Sequence, residues 1–162
     1  MLESIVREAA TGIILDLRSN PGGLLEAVVD VASRFLKEGI VVYVVDNQEK
    51  KASLSIEPED VTTDLPLIVL VDNYSASGSE VLAGALQDHA RATIAGTRTY
   101  GKGSVNILRR LKDGSGLCIT TARWLTPNGC LIEGEGISPD RELELEGEDA
   151  IQWAIDYLKG NR

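Results

Sequence analysis

Residues 65–103 read LPLIVLVDNYSASGSEVLAGALQDHARATIAGTRTYGKG, and this stretch decides the fold. The apolar run Leu67–Val71 has the length and the branched side chains of a buried parallel strand. Residues 72–74 then turn the chain, and SASGS at 75–79 begins a helix whose apolar residues recur at helical spacing. A hydroxyl at such a turn is exposed beside unpaired helix N–H groups, which favour an anion. The stretch therefore predicts an α/β unit with a candidate serine nucleophile.

A serine hydroxyl is a weak nucleophile and needs a base. His89 is the only histidine of the chain, and it lies at the far end of the predicted helix from Ser77. A dozen helical residues span about 18 Å, so His89 cannot reach that hydroxyl. This elimination leaves lysine, and Lys102, between two glycines, is the candidate. A lysine acts as a base only when neutral, and burial favours the neutral form, so we expect the Lys102 stem to be buried.

The residues alone leave the assignment open at two points. Ser75, Ser77 and Ser79 alternate along the turn, and each is also a plausible cap or turn residue. A Gly-Lys-Gly sequence at 101–103 is more often a mobile loop than a catalytic one.

The sequence SASGSE at 75–80, followed by GKG at 101–103, resembles the signature of the C-terminal processing peptidases. These enzymes, also called tail-specific proteases, are serine peptidases with a Ser–Lys dyad. In the family the second serine of S-A-S is the nucleophile and the lysine of G-K-G follows twenty-five positions later, as Lys102 follows Ser77 here. The resemblance covers roughly residues 11–140. It implies a crotonase/Clp-protease-like α/β core, with Ser77 as nucleophile and Lys102 as base.

The same resemblance implies the groups that support the dyad. The amides of Gly78 and Gly23 form the oxyanion hole, with Gly22 as second choice, because NPGG at 20–23 resembles a family element. Asn106 stands where the family usually has a glutamine that orients the lysine amine. Asparagine is one methylene shorter, which weakens this support.

Two further family-like segments carry opposite charges close together. Asp88 lies near the end of the predicted helix and Arg91 follows that helix, and we interpret them as a structural ion pair, although a catalytic Asp88 remains the alternative. Asp16 and Arg18 lie at the end of a predicted strand, where we expect a pair that holds the NPGG loop.

The remaining pattern predicts an α/β fold with a mostly parallel sheet, a β-hairpin and a C-terminal helix. A β-α-β-β-α-β order implies parallel strands joined by right-handed crossovers. The predicted strands are 12–17, 40–45, 67–71 and 93–95, the hairpin strands are 105–111 and 116–124, and the helices are 24–37, 77–89 and 149–159. We expect Gly39 to end the first helix as a glycine cap.

Composition excludes several classes of function. The chain has 162 residues and a net charge of −9 without a Lys/Arg run, so nucleic acid is a poor partner. No apolar stretch approaches the ~20 residues that span a membrane. Cys118 and Cys130 are interpreted as free, partly buried thiols. Without a cluster of metal ligands we expect no metal and no cofactor.

Members of the family normally carry an export signal, a PDZ domain and further catalytic segments. We therefore interpret residues 1–162 as a partial peptidase catalytic domain, and residues 1–10 as the end of a helix. The implied function is a serine endopeptidase that cleaves proteins near their C-termini through an acyl-enzyme. Its partners would be protein substrates bound by their C-terminal region, with a homo-oligomer left open, and its location extracytoplasmic.

Two alternatives remain at this stage. A folded but inactive fragment would act at most as a peptide-binding or assembly module. The same fold also hosts acyl-CoA chemistry, which would leave the spacing of SAS and GKG unexplained.

Overall fold

A computed structural model describes residues 10–57, 61–144 and 147–160, so the helix expected at residues 1–10 lies outside the described residues, apart from Ala10. The described chain forms eight strands and three helices. In chain order these are β1 (Ile13–Asp16), α1 (Leu25–Ser33), β2 (Ile40–Asp46), β3 (Lys51–Ser55), β4 (Leu67–Val71), α2 (Gly78–Asp88), β5 (Thr93–Gly96), β6 (Ser104–Arg110), β7 (Gly116–Leu125), β8 (Arg141–Glu142) and α3 (Gly147–Gly160).

The first sheet is parallel and has the order β1-β4-β5-β8. Strand β4 lies inside it, and all five of its residues are buried. Its unbroken run of Leu, Ile and Val suits a strand covered on both faces. The prediction of a buried parallel strand at Leu67–Val71 is therefore confirmed.

The second sheet is antiparallel and has the order β3-β2-β7-β6. The predicted hairpin is confirmed as β6 and β7. The expectation that the strand at 40–45 joins the parallel sheet is wrong, because β2 pairs antiparallel with β3 and β7. The short turn at residues 47–50 returns the chain directly into β3, and a parallel pair needs a longer crossover.

Two apolar clusters cover the two faces of the parallel sheet. On one face Val69 and Val71 of β4 pack with the inner sides of α1, α2 and the second sheet. On the other face Ile68 and Leu70 of β4 pack with Ala154 of α3. Helix α2, which begins directly after the candidate nucleophile, is therefore anchored in the apolar cluster that it shares with the parallel sheet, α1 and the second sheet.

Helix α1 ends at Ser33, several residues before the predicted end, and Gly39 does not cap it. Gly39 has φ +111°, and a Cβ there would lie 2.5 Å from the ring of His89. The His89 ring contacts the carbonyl of Ile40 at 2.8 Å. Gly39 is thus needed for a close approach of the histidine, and His89 has the structural role at the far helix end that the sequence indicates.

The two cysteines are free thiols, as expected, but Cys118 and Cys130 are exposed rather than partly buried. None of the helices in the described ranges is both long and apolar enough to cross a membrane.

Candidate active site

Ser77 lies in a strained turn between β4 and α2. It caps the helix with φ 58° and ψ −119°, in the positive-φ half of the map that residues other than glycine seldom occupy. Such backbone strain persists only where the surrounding structure holds it, and it clusters at functional sites. The local geometry thus marks Ser77 among the three serines.

The other two serines bind the loop that follows β1. The Ser75 hydroxyl donates to the carbonyl of Leu17 at 2.7 Å and accepts the N–H of Asp72. The Ser79 hydroxyl donates to the carbonyl of Asn20 at 3.1 Å. Both side chains therefore hold the turn in place, which agrees with the turn role considered for them in the sequence.

The NPGG loop lies directly against the start of α2. The carbonyl of Asn20 accepts the N–H of Ala76 at 3.0 Å. A Cβ on Gly22, whose φ is +92°, would lie only 2.5 Å from the backbone nitrogen of Gly78. Only glycine permits this backbone approach, so NPGG is more than a surface turn.

Two unused amides lie side by side in this contact. The N–H of Gly22 donates to the side chain of Asn20 at 2.9 Å. Within the described chain no hydrogen bond takes the N–H of Gly23 or of Gly78. The Gly23 nitrogen is 3.1 Å from the point that a Cβ on Gly78 would occupy. This pattern favours Gly23 over Gly22 as the partner of Gly78.

A buried carboxylate connects the nucleophile turn with the lysine loop. Glu80 is fully buried, and its Oε2 accepts the backbone N–H groups of Ser77 and Lys102, each at 2.8 Å. Its Oε1 accepts the N–H of Gly101 and the hydroxyl of Thr99, each at 2.6 Å. The backbone nitrogens of Ser77 and Lys102 are therefore no further apart than twice 2.8 Å.

Sequence reasoning missed this role of Glu80. The spacing S-x-x-E is a capping-box signal and accounts for the bond to Ser77. The other donors lie in residues 99–102, and local patterns carry no signal for such distant partners.

The Gly-Lys-Gly loop is fixed on its other side by the segment that follows β7. The N–H of Gly103 donates to the carboxylate of Glu133 at 2.7 Å. The N–H of Gly134 donates to the carbonyl of Gly101 at 2.9 Å. These bonds argue against a mobile loop at 101–103.

The Lys102 side chain is exposed, so the expectation of a buried stem is wrong for this structure. Glu80 accepts the backbone N–H of Lys102, and this hydrogen bond does not restrict the Lys102 side chain, which extends outward.

Asn106 does not form the expected hydrogen bond with the Lys102 amine. Its carbonyl oxygen accepts the Thr120 hydroxyl at 2.7 Å, and its amide donates to Ser104 at 3.2 Å. The reason is the strand register, which sets Asn106 opposite Thr120 on β7.

The predicted ion pair of Asp16 and Arg18 is present, with contacts of 2.9 Å and 2.6 Å. Hydrogen bonds from Arg18 lower the pKa of the Asp16 carboxyl, against the opposing effect of burial. Arg18 also donates to the carbonyl of Gly147 at 3.0 Å. The pair therefore ties the end of β1 to the start of α3. The expectation that it holds the NPGG loop is wrong, because none of its hydrogen bonds within the described chain reaches residues 20–23.

The predicted pair of Asp88 and Arg91 is not formed. Asp88 accepts the backbone N–H of Asn128 at 2.7 Å. Arg91 donates instead to three converging carbonyls, those of Phe35, Thr63 and Leu65. Both side chains thus join distant segments, which a local charge pattern does not reveal.

Asp72 fixes the entry to the nucleophile turn. Its carboxylate accepts the N–H groups of Ser19, Tyr74 and Ser75. Burial raises the pKa of the Asp72 carboxyl, but these hydrogen bonds outweigh burial and hold the pKa below its usual value.

Two open cavities lie near these segments. A groove of about 230 Å³ borders Gly23 and Gly78, and its walls are mainly apolar side chains of α1 and α2, including Ala27, Val28 and Leu82. A larger depression of about 820 Å³ lies at the carboxyl ends of the parallel strands, beside Arg18 and Asp72. Neither cavity is lined by Ser77 or Lys102, but the smaller groove borders Gly23 and Gly78, the two candidate oxyanion-hole residues. Within the described ranges no three His, Cys, Asp or Glu side chains group as a metal site.

Residues 1–143 match the sequence profile of peptidase family S41. The chain belongs to peptidase family S41. It is 46% identical over 169 positions to the carboxyl-terminal-processing protease of Synechocystis sp., covering 98% of this chain and 39% of that protein. It is 43% identical over 140 positions to the chloroplastic C-terminal processing peptidase of Tetradesmus obliquus, covering 86% and 30%.

A solved structure of a processing protease has the same fold. The photosystem II D1 C-terminal processing protease superposes with a TM-score of 0.81 at 42% identity, over 86% of this chain and 36% of that one. The resemblance drawn from SASGSE and GKG, and the predicted fold class, are therefore confirmed. The chain spans between 30% and 39% of the lengths of the proteins compared here.

Proposed function

We propose that this S41 chain carries the catalytic machinery of a serine endopeptidase that cleaves proteins near their C-termini. Ser77 is the nucleophile and Lys102 is the base. The observation that carries the proposal is the single carboxylate oxygen of Glu80 that binds the backbone N–H of both residues, at 2.8 Å each. A nucleophile and its base must lie within hydrogen-bond reach, and this shared acceptor keeps their backbones adjacent.

Acylation begins when the neutral Lys102 amine takes the proton of the Ser77 hydroxyl. The Ser77 Oγ attacks the carbonyl carbon of the scissile peptide bond, and the carbonyl oxygen becomes an oxyanion. The protonated Lys102 then gives its proton to the leaving nitrogen, the C–N bond breaks, and an ester to Ser77 remains. For hydrolysis Lys102 takes a proton from water, and the resulting hydroxide attacks the ester carbonyl carbon. Lys102 then returns the proton to the Ser77 Oγ as the ester C–O bond breaks, which releases the carboxyl product and restores the free hydroxyl.

The oxyanion of both steps is stabilised by the amides of Gly78 and Gly23. These N–H groups have no other partner within the described chain, and preorganised donors of this kind give large rate effects. The N-terminus of α2 adds positive potential at the same point.

The bound substrate removes water from the Lys102 amine, which is exposed in the free chain. An extended polypeptide that crosses the turn would cover the amine and favour its neutral form. The apolar groove beside Gly23 and Gly78 would take a side chain next to the scissile bond.

The names of the relatives support the substrate class. We infer protein substrates that are bound by their C-terminal region and an extracytoplasmic location. We also infer that residues 1–162 are part of a catalytic domain that acts with further segments.

Labelling with a fluorophosphonate tests the nucleophile. The wild-type chain and Ser75→Ala should be labelled, and Ser77→Ala should not, with circular dichroism to show that all three fold. Labelling that persists in Ser77→Ala would overturn the assignment. A folded wild-type chain that takes no label would support the inactive-fragment alternative.

A further inference from the structure

Strand β6 leaves one edge unpaired next to the lysine loop. It is the outer strand of its sheet, and within the described chain it pairs only with β7. It begins at Ser104, two residues after Lys102. A strand edge presents N–H and C=O groups that pair readily with another extended chain. A peptide bound along β6 would therefore run toward Ser77 and Lys102.

Both faces of this hairpin expose apolar side chains. Ile107 lies opposite Ile119, and the next residue, Leu108, lies opposite Cys118, so the two pairs point to opposite faces. The exposed fractions are 37% for Ile107, 38% for Ile119 and 68% for Leu108. A chain bound at this edge would therefore find apolar side chains on either face of the hairpin.

The charge of the hairpin is opposite to that of the chain. The segment 104–125 has four basic residues and one acidic residue, Asp113, whereas the whole chain has a net charge of −9. The four basic residues are Arg109, Arg110, Lys112 and Arg123. An occupant with acidic side chains is therefore favoured.

We propose that the free edge of β6 binds the substrate polypeptide as an added strand and selects segments that combine apolar and acidic side chains. The inference rests on the proposed peptidase function and specifies its substrate class. The backbone ladder supplies affinity, and the alternating side chains supply selectivity. The seven residues of β6 span about 23 Å, enough for about seven substrate residues.

The alternative occupant, a second copy of this chain at the same edge, is disfavoured by charge. Two β6 strands paired edge to edge would bring together two strands that each carry Arg109 and Arg110 and no acidic residue. Charges of the same sign repel across such an edge.

Binding to the full 162-residue Ser77→Ala chain tests the selectivity without cleavage. Fluorescein-labelled peptides of about ten residues, identical except for two glutamates or two lysines among apolar residues, are compared by fluorescence anisotropy. We expect the glutamate peptide to bind about ten-fold tighter at low salt, and the difference to shrink as salt screens the charges. Equal affinities would overturn the inference.

Two matched charge reversals locate the effect. Arg109→Glu with Arg110→Glu should reverse the preference, whereas Lys50→Glu with Lys51→Glu, at the opposite edge of the same sheet, should leave it unchanged. Equal responses of the two double variants would contradict a site at β6. Loss of a dimer in Arg109→Glu with Arg110→Glu, seen by sedimentation, would identify a second copy as the occupant and overturn the inference.

Backbone methylation tests strand pairing itself. Because the N–H groups of an added strand point alternately toward and away from β6, N-methyl groups at one alternate set of peptide positions should abolish binding. Methyl groups at the other set should not, and equal binding of the two peptides would exclude an added strand.

Fluorophosphonate labelling of Ser77 in the wild-type chain distinguishes failure of this inference from failure of the proposed function. Labelling without peptide selectivity rejects this inference alone. Peptide selectivity without labelling rejects the peptidase assignment alone.

Discussion

The turn at residues 75–80 and the hairpin at 104–125 lie on either side of the lysine loop, but their environments are opposite. At the turn every residue except Ser77 is buried, and Glu80 alone accepts four hydrogen bonds. From Asn106 to Thr120 the hairpin is exposed. The backbones of Ser77 and Lys102 are thus held by a buried hydrogen-bonded framework, whereas the hairpin offers surface for a partner.

The largest expected effect is that of Glu80→Gln. An amide cannot accept from all four donors, because its NH₂ group would face N–H groups. We expect labelling of Ser77 to slow by about 100-fold, since small misplacements at a reacting centre have effects of that size. We also expect the free energy of unfolding to fall by about 3 kcal/mol, measured by urea denaturation.

The matched control for this change is Glu148→Gln. Glu148 is also acidic and in the first turn of a helix, α3, but it is exposed. A change of less than about 0.5 kcal/mol is expected. If both variants changed equally little, Glu80 would act only through the helix dipole.

The second-largest effect should separate substitutions at the neighbouring glycines Gly22 and Gly23. Gly22→Ala would place its Cβ 2.5 Å from the nitrogen of Gly78 at φ +92°, whereas a Cβ on Gly23 meets nothing within 4 Å. We expect Gly22→Ala to lower the free energy of unfolding by about 2 kcal/mol and to slow the labelling of Ser77. Gly23→Ala should keep wild-type stability, and equal losses in the two would contradict the described contact of the loop with α2.

Lowering the pH should reduce the free energy of unfolding by a smaller amount than these substitutions. The folded-state pKa values of Asp16 and Asp72 lie below normal. Their stabilisation is therefore present above the unfolded pKa near 3.9 and is lost as the pH falls through the lower folded values. Urea denaturation between about pH 6 and pH 2 should show a decline below about pH 4. Asp72→Asn should reduce that decline, and an identical profile would contradict the role of Asp72.

The hairpin should show the smallest effect on stability. Leu108 is 68% exposed, so Leu108→Ser should change the free energy of unfolding by less than about 0.5 kcal/mol. Leu86→Ala, in the buried face of α2, should lower it by about 2–5 kcal/mol. A large loss in Leu108→Ser would mean that the hairpin belongs to the core.

The sequence predicts those parts of the fold and site that local pattern determines. Periodicity identifies β4 and α2, and the turn residues after Leu111 identify the hairpin. The functional meaning of the spacing between Ser77 and Lys102 is recognised only through the family resemblance. The sheet that β2 joins was mispredicted, because pairing depends on partners far along the chain.

The same limit applies to side-chain partners. Asp88, Arg91 and Asn106 bind groups that tertiary contacts or strand register supply, and neighbours in the sequence did not reveal them. Glu80 is the clearest case, since three of its four donors come from a segment about twenty residues later.

The assignment of the base is tested most directly by the rate at which a peptidyl phosphonate phosphonylates Ser77 in the wild-type chain and in Lys102→Met, with Lys112→Met as the exposed-lysine control. We expect a rate at least ~100-fold lower in Lys102→Met and an unchanged rate in Lys112→Met. Equal rates in the wild-type and Lys102→Met chains would contradict the assignment of Lys102 as the base.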